Sequence, residues 1–385
     1  MKQENLSARV GIPGLQAGED VKTLTSTETA GADAARPTTR LGFNTRVSFT
    51  AGEAGRGLRD GIELFRAAEE LGYQSGWAYQ RHFDNYLSSP LPFFAAAGQH
   101  TSRITFGSAV IPMRYQEPIL LAEAAGTTDL LTGGRLQLAF SSGSDTWDDV
   151  FGAVDTDART EGQRRLRRFL AGVSGEVLHT VTEHRPPGPP VGTELRVTPH
   201  SPGLRERIWY GSGHVDSAVN AARLGLRLIT GTILRGLAEG ETFGEYQARL
   251  IGEYRAAWTA THGTPPPPVA VSASVLPGPT GELRETYAAY DLERRTYGPA
   301  ASRPQGALPP IRLAELPAGF AMSPVYHGDP DAVAAAVLAD PGISVADELV
   351  LFLPPAFGLD QNIRLITDLA TTVAPALGWT PADPT

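Results

Sequence analysis

Cysteine is absent from all 385 residues, which excludes disulfides, thiol nucleophiles and cysteine-ligated zinc. Lysine is almost as scarce: Lys2 and Lys22 stand against arginines spread along the whole chain, a bias of composition rather than a signature of function. No apolar run approaches the roughly 18 residues that span a bilayer. The opening residues also lack a basic segment followed by an apolar one. A cytoplasmic protein with no membrane partner is therefore expected. Positive charge is short overall, the formal net charge being −9, and nucleic acid is excluded as a partner because phosphate binding needs a basic surface. The densest basic run, Arg164-Arg165 with Arg167-Arg168, shares a predicted helix with Leu166, Phe169 and Leu170, and reads as a solvated face.

Several catalytic signatures are missing as well. Gly211-Ser212-Gly213-His214-Val215-Asp216 begins like a dinucleotide fingerprint but lacks its third glycine, so a nicotinamide site is rejected. There is no G-K-[ST] phosphate loop. Ser141-Ser142-Gly143-Ser144 does not form a G-x-S-x-G nucleophile elbow. The eight histidines show no i, i+3 or i, i+4 pair, and no metal ligands are assigned.

What is present is a rhythm. Hydrophobic residues make up 41% of the chain, and from Arg40 onward short apolar runs alternate with helical periodicity. Strands are expected at 41–49, 75–80, 104–111, 135–140, 208–210, 226–230, 269–276 and 349–353. Helices follow nearly all of them, with Gly72 and Gly225 as stops and Pro118 as a start. This predicts an α/β fold, a (β/α)8 TIM barrel with insertions over residues 39–385. A doubly wound sheet would want a glycine-rich turn after an early strand, and the first turn offers only Gly52, Gly55 and Gly57 in a polar loop. Residues 1–38 read as a flexible N-terminal extension. Pro-rich excursions at about 184–206 and 277–328 are expected to shape the substrate side, the second as a mobile lid or a plain excursion.

Barrel active sites form at the C-terminal ends of the strands. The second strand ends in Gln80-Arg81-His82-Phe83, which places Arg81 and His82 on that rim. The fifth ends at Gly211 and Gly213, where open backbone N–H groups and the Ser217 hydroxyl make an anion site at a helix N-terminus. Ser141 and Ser142 end the fourth.

Read together, these strand ends resemble the luciferase-like flavin monooxygenases, the superfamily of bacterial luciferase and alkanesulfonate monooxygenase. The matching pieces are Gln80-Arg81-His82-Phe83, the run Gly107 to Pro112, Glu117-Pro118 with Leu121-Ala122-Glu123, and the passage Asp129-Leu130-Leu131-Thr132-Gly133-Gly134-Arg135-Leu136. Ser142-Gly143, Gly211-Ser212-Gly213 and Gly328-Asp329-Pro330 complete the set, which spans residue 40 to about 375. The resemblance implies reduced FMN across the barrel mouth, with its ring over Phe106, Gly107 and Ser108 and its phosphate at Gly213, His214 and Ser217, helped by Ser142. It implies a separate flavin reductase as partner, a small-molecule substrate oxygenated with O2, and a homodimer.

Two departures bear on the chemistry. Luciferase has paired histidines where this chain has Arg81-His82, so His82 is the proton-transfer candidate and Arg81 a fixed cation. That favours a polar or anionic substrate. Luciferase also has an arginine where this chain has Ser142. Two further readings stay open: an F420-dependent dehydrogenase or reductase of the same fold, and a non-catalytic flavin-binding protein.

Overall fold

Each of the eight predicted strand regions is a strand in the computed structural model, and each is paired in parallel with its sequence neighbours. They are β1 (Arg40–Thr45), β2 (Ser75–Ala78), β3 (Thr105–Pro112), β4 (Leu136–Ser141), β5 (Ile208–Ser212), β6 (Arg227–Thr230), β7 (Val269–Pro277) and β8 (Glu348–Phe352). β8 pairs back onto β1, so the sheet closes into a (β/α)8 barrel. The structure describes residues 40–152, 157–298 and 320–383, all within one compact unit spanning Ala35–Thr385. The expected extension at 1–38 lies outside the described residues.

The strands read as continuous apolar runs because both faces are covered; all nine residues of β7 are buried. Inside the barrel, Trp77 and Trp209 meet edge to face at 5.4 Å, among Ala139, Ile229, Ala270 and Val350. This layer fills the barrel and floors the mouth above it. Outside run α1 (Ala54–Glu70), α2 (Pro90–Ala97), α3 (Pro118–Leu131), α4 (Ala158–Val173), α5 (Val215–Arg223), α6 (Phe243–His262), α7 (Gly281–Tyr297), α8 (Pro330–Leu338) and α9 (Leu359–Asp368). Local sequence sets their ends. α1 stops at Gly72, whose φ of 88° suits a residue without a Cβ. α3 starts at Pro118, with the Glu117 carboxylate accepting from the N–H groups of Ile119 and Leu120.

The passage from α3 to β4 has its own anchor. Asp129 is fully buried and accepts from Leu136 N–H at 3.0 Å, from Ser201 Oγ at 2.5 Å, and from both terminal nitrogens of Arg207 at 2.9 Å. One carboxylate thus joins the end of a helix to the starts of β4 and β5.

Two expectations about the excursions change. Residues 184–206 do not reach the mouth: Ser201 bonds Asp129, His200 bonds the Val173 carbonyl, and none of the segment lines the cavities described below. Its prolines break local regularity while its contacts run to α3 and α4. The first part of 277–328 is the regular helix α7, its buried face carrying Tyr287, Tyr290, Asp291 and Arg294. Residues 299–319 lie outside the described residues. Beyond them, Phe320–Met322 pairs with Ile233–Arg235, and Val325–Gly328 extends the sheet beside β7.

Among the described residues, no helix is long and apolar enough to cross a membrane. The run Arg164 to Arg168 lies on α4 as expected, Arg164 and Arg165 pairing with Glu161, whose carboxyl is held down to about 2, chiefly by the hydrogen bond from Arg164.

Candidate active site

The loops after the strands enclose a cavity of about 910 Å³ at the C-terminal mouth. A deeper one of about 240 Å³ shares Tyr79, Val110, Gly211 and Gly213 with it as walls. Of the residues expected from sequence, Arg81, His82, Ser141, Ser142, Gly211, Gly213, His214 and Ser217 all line the larger cavity.

Phe106, Gly107 and Ser108 do not, because β3 runs on to Pro112 and these residues sit in its middle. Phe106 faces the helices, stacked on Phe65 at 5.5 Å. Gly107 faces the barrel core, where a Cβ would collide with the Trp77 indole. Ser108 Oγ is tied to the Ala139 backbone, donating at 3.1 Å and accepting at 3.0 Å. The mouth is reached instead at Ala109 and Val110, which are joined by a cis peptide bond.

At the β2 exit, Arg81 Nε donates to Asp84 Oδ2 at 2.9 Å, and the Asp84 side chain is fully buried. The arginine that sequence reading offered as a fixed cation is therefore charge-matched, and its role is to hold the turn. His82 is different. Its Nε2 is buried without a hydrogen-bond partner among the described residues, and its ring stands edge-on to Phe151 at 5.0 Å. Burial pushes its pKa below the usual value of 6.5, so the imidazole is neutral at pH 7. Phe83 follows with a left-handed φ of 55° and packs on Trp147 at 5.1 Å. Tyr115 stacks on Phe151 at 4.8 Å. An aromatic wall from two loops thus shields one flank of His82.

The opposite end of the cavity collects donors. α5 opens there, with His214 as N-cap, its Nδ1 accepting from Asp216 N–H at 3.2 Å. α4 opens there too, capped by Asp157. Ser142 Oγ lies 3.1 Å from Tyr210 OH. Arg159 and Arg235 line this end, and neither has an ion pair among the described residues. Two helix N-termini, two guanidiniums and the hydroxyls of Ser142 and Ser217 suit a phosphate dianion. Gly211 lets the Val110 side chain pack against the end of β5, since a Cβ there would strike Val110 Cγ1. Among the described residues no group of three or more His, Asp or Glu converges on a metal-sized site.

Arg159 and Arg235 had escaped sequence reading. Arg159 lies just after the cap residue of α4, a position that the Asp157 cap pattern could have flagged. Arg235 arrives on a short strand paired with residue 321's neighbours, a contact with no local signal.

A closed parallel barrel with a large, donor-lined cavity at its C-terminal mouth defines a TIM-barrel enzyme. The particular kind follows from comparison: residues 39–342 match the luciferase-like monooxygenase family, and the chain belongs to it. It is similar to 4-hydroxyprotoasukamycin monooxygenase of Streptomyces nodosus subsp. asukaensis, 28% identical over 218 residues, which is 56% of this chain and 50% of that protein. The match thus spans about half the length of that relative. An F420-dependent glucose-6-phosphate dehydrogenase of Amycolatopsis mediterranei is 30% identical over 26% of this chain and 31% of that protein. Among solved structures, the FMN complex of the oxygenating constituent of 3,6-diketocamphane monooxygenase from Pseudomonas putida superposes with a TM-score of 0.63 at 16% identity, covering 88% of this chain and 98% of that one.

Proposed function

We propose that the protein is the oxygenase of a two-component flavin system, which takes reduced FMN from a separate reductase and oxygenates a small organic substrate with O2. The observation that carries this is the anion-seeking end of the cavity, where Arg159, Arg235, Ser142 and Ser217 meet two helix N-termini. The mouth fits a flavin on a further count: Asn44 Oδ1 and Ser272 Oγ, at the adjoining deeper cavity, are buried without hydrogen-bond partners among the described residues. Bound reduced FMN supplies the O2-activating chemistry. The chain's own residues bind its phosphate, exclude water with the aromatic wall, and hold a neutral imidazole at His82 to accept a proton at Nε2.

Fluorescence titration with FMN and with riboflavin tests the phosphate end. FMN is expected to bind at least about tenfold more tightly than riboflavin, the worth of one or two charge-assisted contacts. Arg159→Ala combined with Arg235→Ala should erase most of that ratio. A wild-type protein that binds the two equally would sink the assignment. F420-dependent relatives motivate a parallel titration with that cofactor; tighter binding of F420 would convert the reading to a hydride-transfer enzyme.

A further inference from the structure

One acceptor in the wall of the larger cavity is buried with no donor among the described residues to meet it. Gln80, just after β2, lines that cavity and is 7% exposed. Its Nε2 donates to the Ser88 carbonyl at 2.7 Å. That bond fixes the orientation of the amide and leaves Oε1 as the unbonded end. His82 Nε2, two residues further on, is the other buried and unpartnered atom of the same strand exit.

A dry, unpaired amide oxygen is costly, and a leucine of similar size would avoid the cost. The oxygen is matched when a ligand brings a donor, and its surroundings narrow the kind of donor. Arg81 is already cancelled by Asp84, so an anion at this exit meets the amide oxygen and is repelled. Asp84 is equally committed, which leaves an entering cation no counter-ion from that pair. Tyr79, Tyr115 and Trp147 line the same cavity, with Trp147 packed on Phe83 and Tyr115 stacked on Phe151. Aromatic walls with a few placed polar atoms suit a flat apolar body that carries one neutral donor.

We infer that Gln80 is a specificity-determining residue, whose Oε1 accepts a hydrogen bond from a neutral hydroxyl or amino group on an aromatic substrate. The substrate ring packs among the aromatic side chains of the cavity, and its donor group comes to rest at the strand exit that carries His82. A ligand reaches the buried oxygen by displacing neighbouring side chains. The loop that carries Trp147 and Phe151 is bounded by Gly143 and Gly152, both at φ 88°, which gives that wall its hinges. The inference rests on the flavin reading for the word substrate, but the subsite itself is testable without flavin. It replaces the preference for an anion, drawn from Arg81, with a preference for a neutral donor.

The probes are p-cresol and p-toluidine, which carry a donor, 4-fluorotoluene, nearly the same shape without one, and 4-methylbenzoate as the anion. Each is titrated calorimetrically into the whole protein with and without FMN. Wild type is expected to bind the better of the two donors at least about tenfold more tightly than 4-fluorotoluene. Which donor wins tells hydroxyl from amine, and 4-methylbenzoate should bind no better than 4-fluorotoluene. Gln80→Leu removes the acceptor and should bring the ratio of donor to 4-fluorotoluene close to one. Gln80→Glu keeps an acceptor oxygen, loses the bond to Ser88 and should retain the preference. Both variants lose the Ser88 contact, so a purely structural Gln80 would make them alike. The proposal is overturned by a wild-type protein indifferent to the donor or selective for the anion, by a Gln80→Leu variant that keeps the ratio, or by two variants that behave alike. If FMN fails to bind while the donor is still selected, the cofactor assignment fails and the subsite stands.

Discussion

Replacing His82 with glutamine is expected to lower substrate turnover by about 10²-fold or more, the range of a lost general base, while FMN affinity stays within about twofold of wild type. Glutamine keeps the bulk and polarity of the ring but accepts no proton near neutral pH. The asymmetry follows from placement: His82 lines the cavity beside Phe151, whereas the anion-seeking end is built from α4, α5 and their flanking residues. The pH dependence carries the sharper signature. Burial lowers the pKa of the imidazole from 6.5, so the basic form prevails above that lowered value and is lost as pH falls through it. The acid limb of kcat/KM should therefore lie below pH 6.5 in wild type and vanish in the glutamine variant. A limb that persists unchanged in His82→Gln would assign the titration elsewhere.

Asp129→Ala should destabilise the protein by about 3–5 kcal/mol, the usual cost of breaking a buried, hydrogen-bonded ion pair from one side. The alanine would leave Arg207, Ser201 and the Leu136 N–H without their shared acceptor, and Arg207 would keep a charge with no counter-ion. Denaturant midpoints measure the loss. Adding Arg207→Met to Asp129→Ala should recover part of it, because the stranded charge goes too. A single-mutant loss under about 1 kcal/mol would show that the carboxylate is no keystone. The passage Asp129 to Leu136 was one of the sequence matches to the family, and this network explains the aspartate and the turn after it without reference to catalysis.

The barrel was legible because its physics is local. Each strand is a short apolar run, and glycine or proline marks most of the boundaries. The polar strand exits at Arg81-His82, Ser141-Ser142 and Gly211-Gly213 were legible for the same reason, and the structure brings them to one cavity. Residues 106–108 were misplaced within a strand whose extent was legible: the expected run to 111 already puts its mouth end beyond Ser108, at Ala109 and Val110. α7 was hidden because its buried face carries Asp291 and Arg294 beside two tyrosines, which blurs the apolar period, and because proline-rich sequence flanks it. Arg46 and Arg294 are distant in sequence and both face the Phe352 ring, so no spacing rule would have paired them.

The scarcity of lysine has a practical side once the barrel is in view. Between residues 40 and 383 the chain has no primary side-chain amine, since its two lysines are Lys2 and Lys22. Amine-reactive dyes, biotin esters and surface-coupling resins will therefore modify no side chain between residues 40 and 383. Labelling at those two amines leaves every arginine at the mouth chemically untouched.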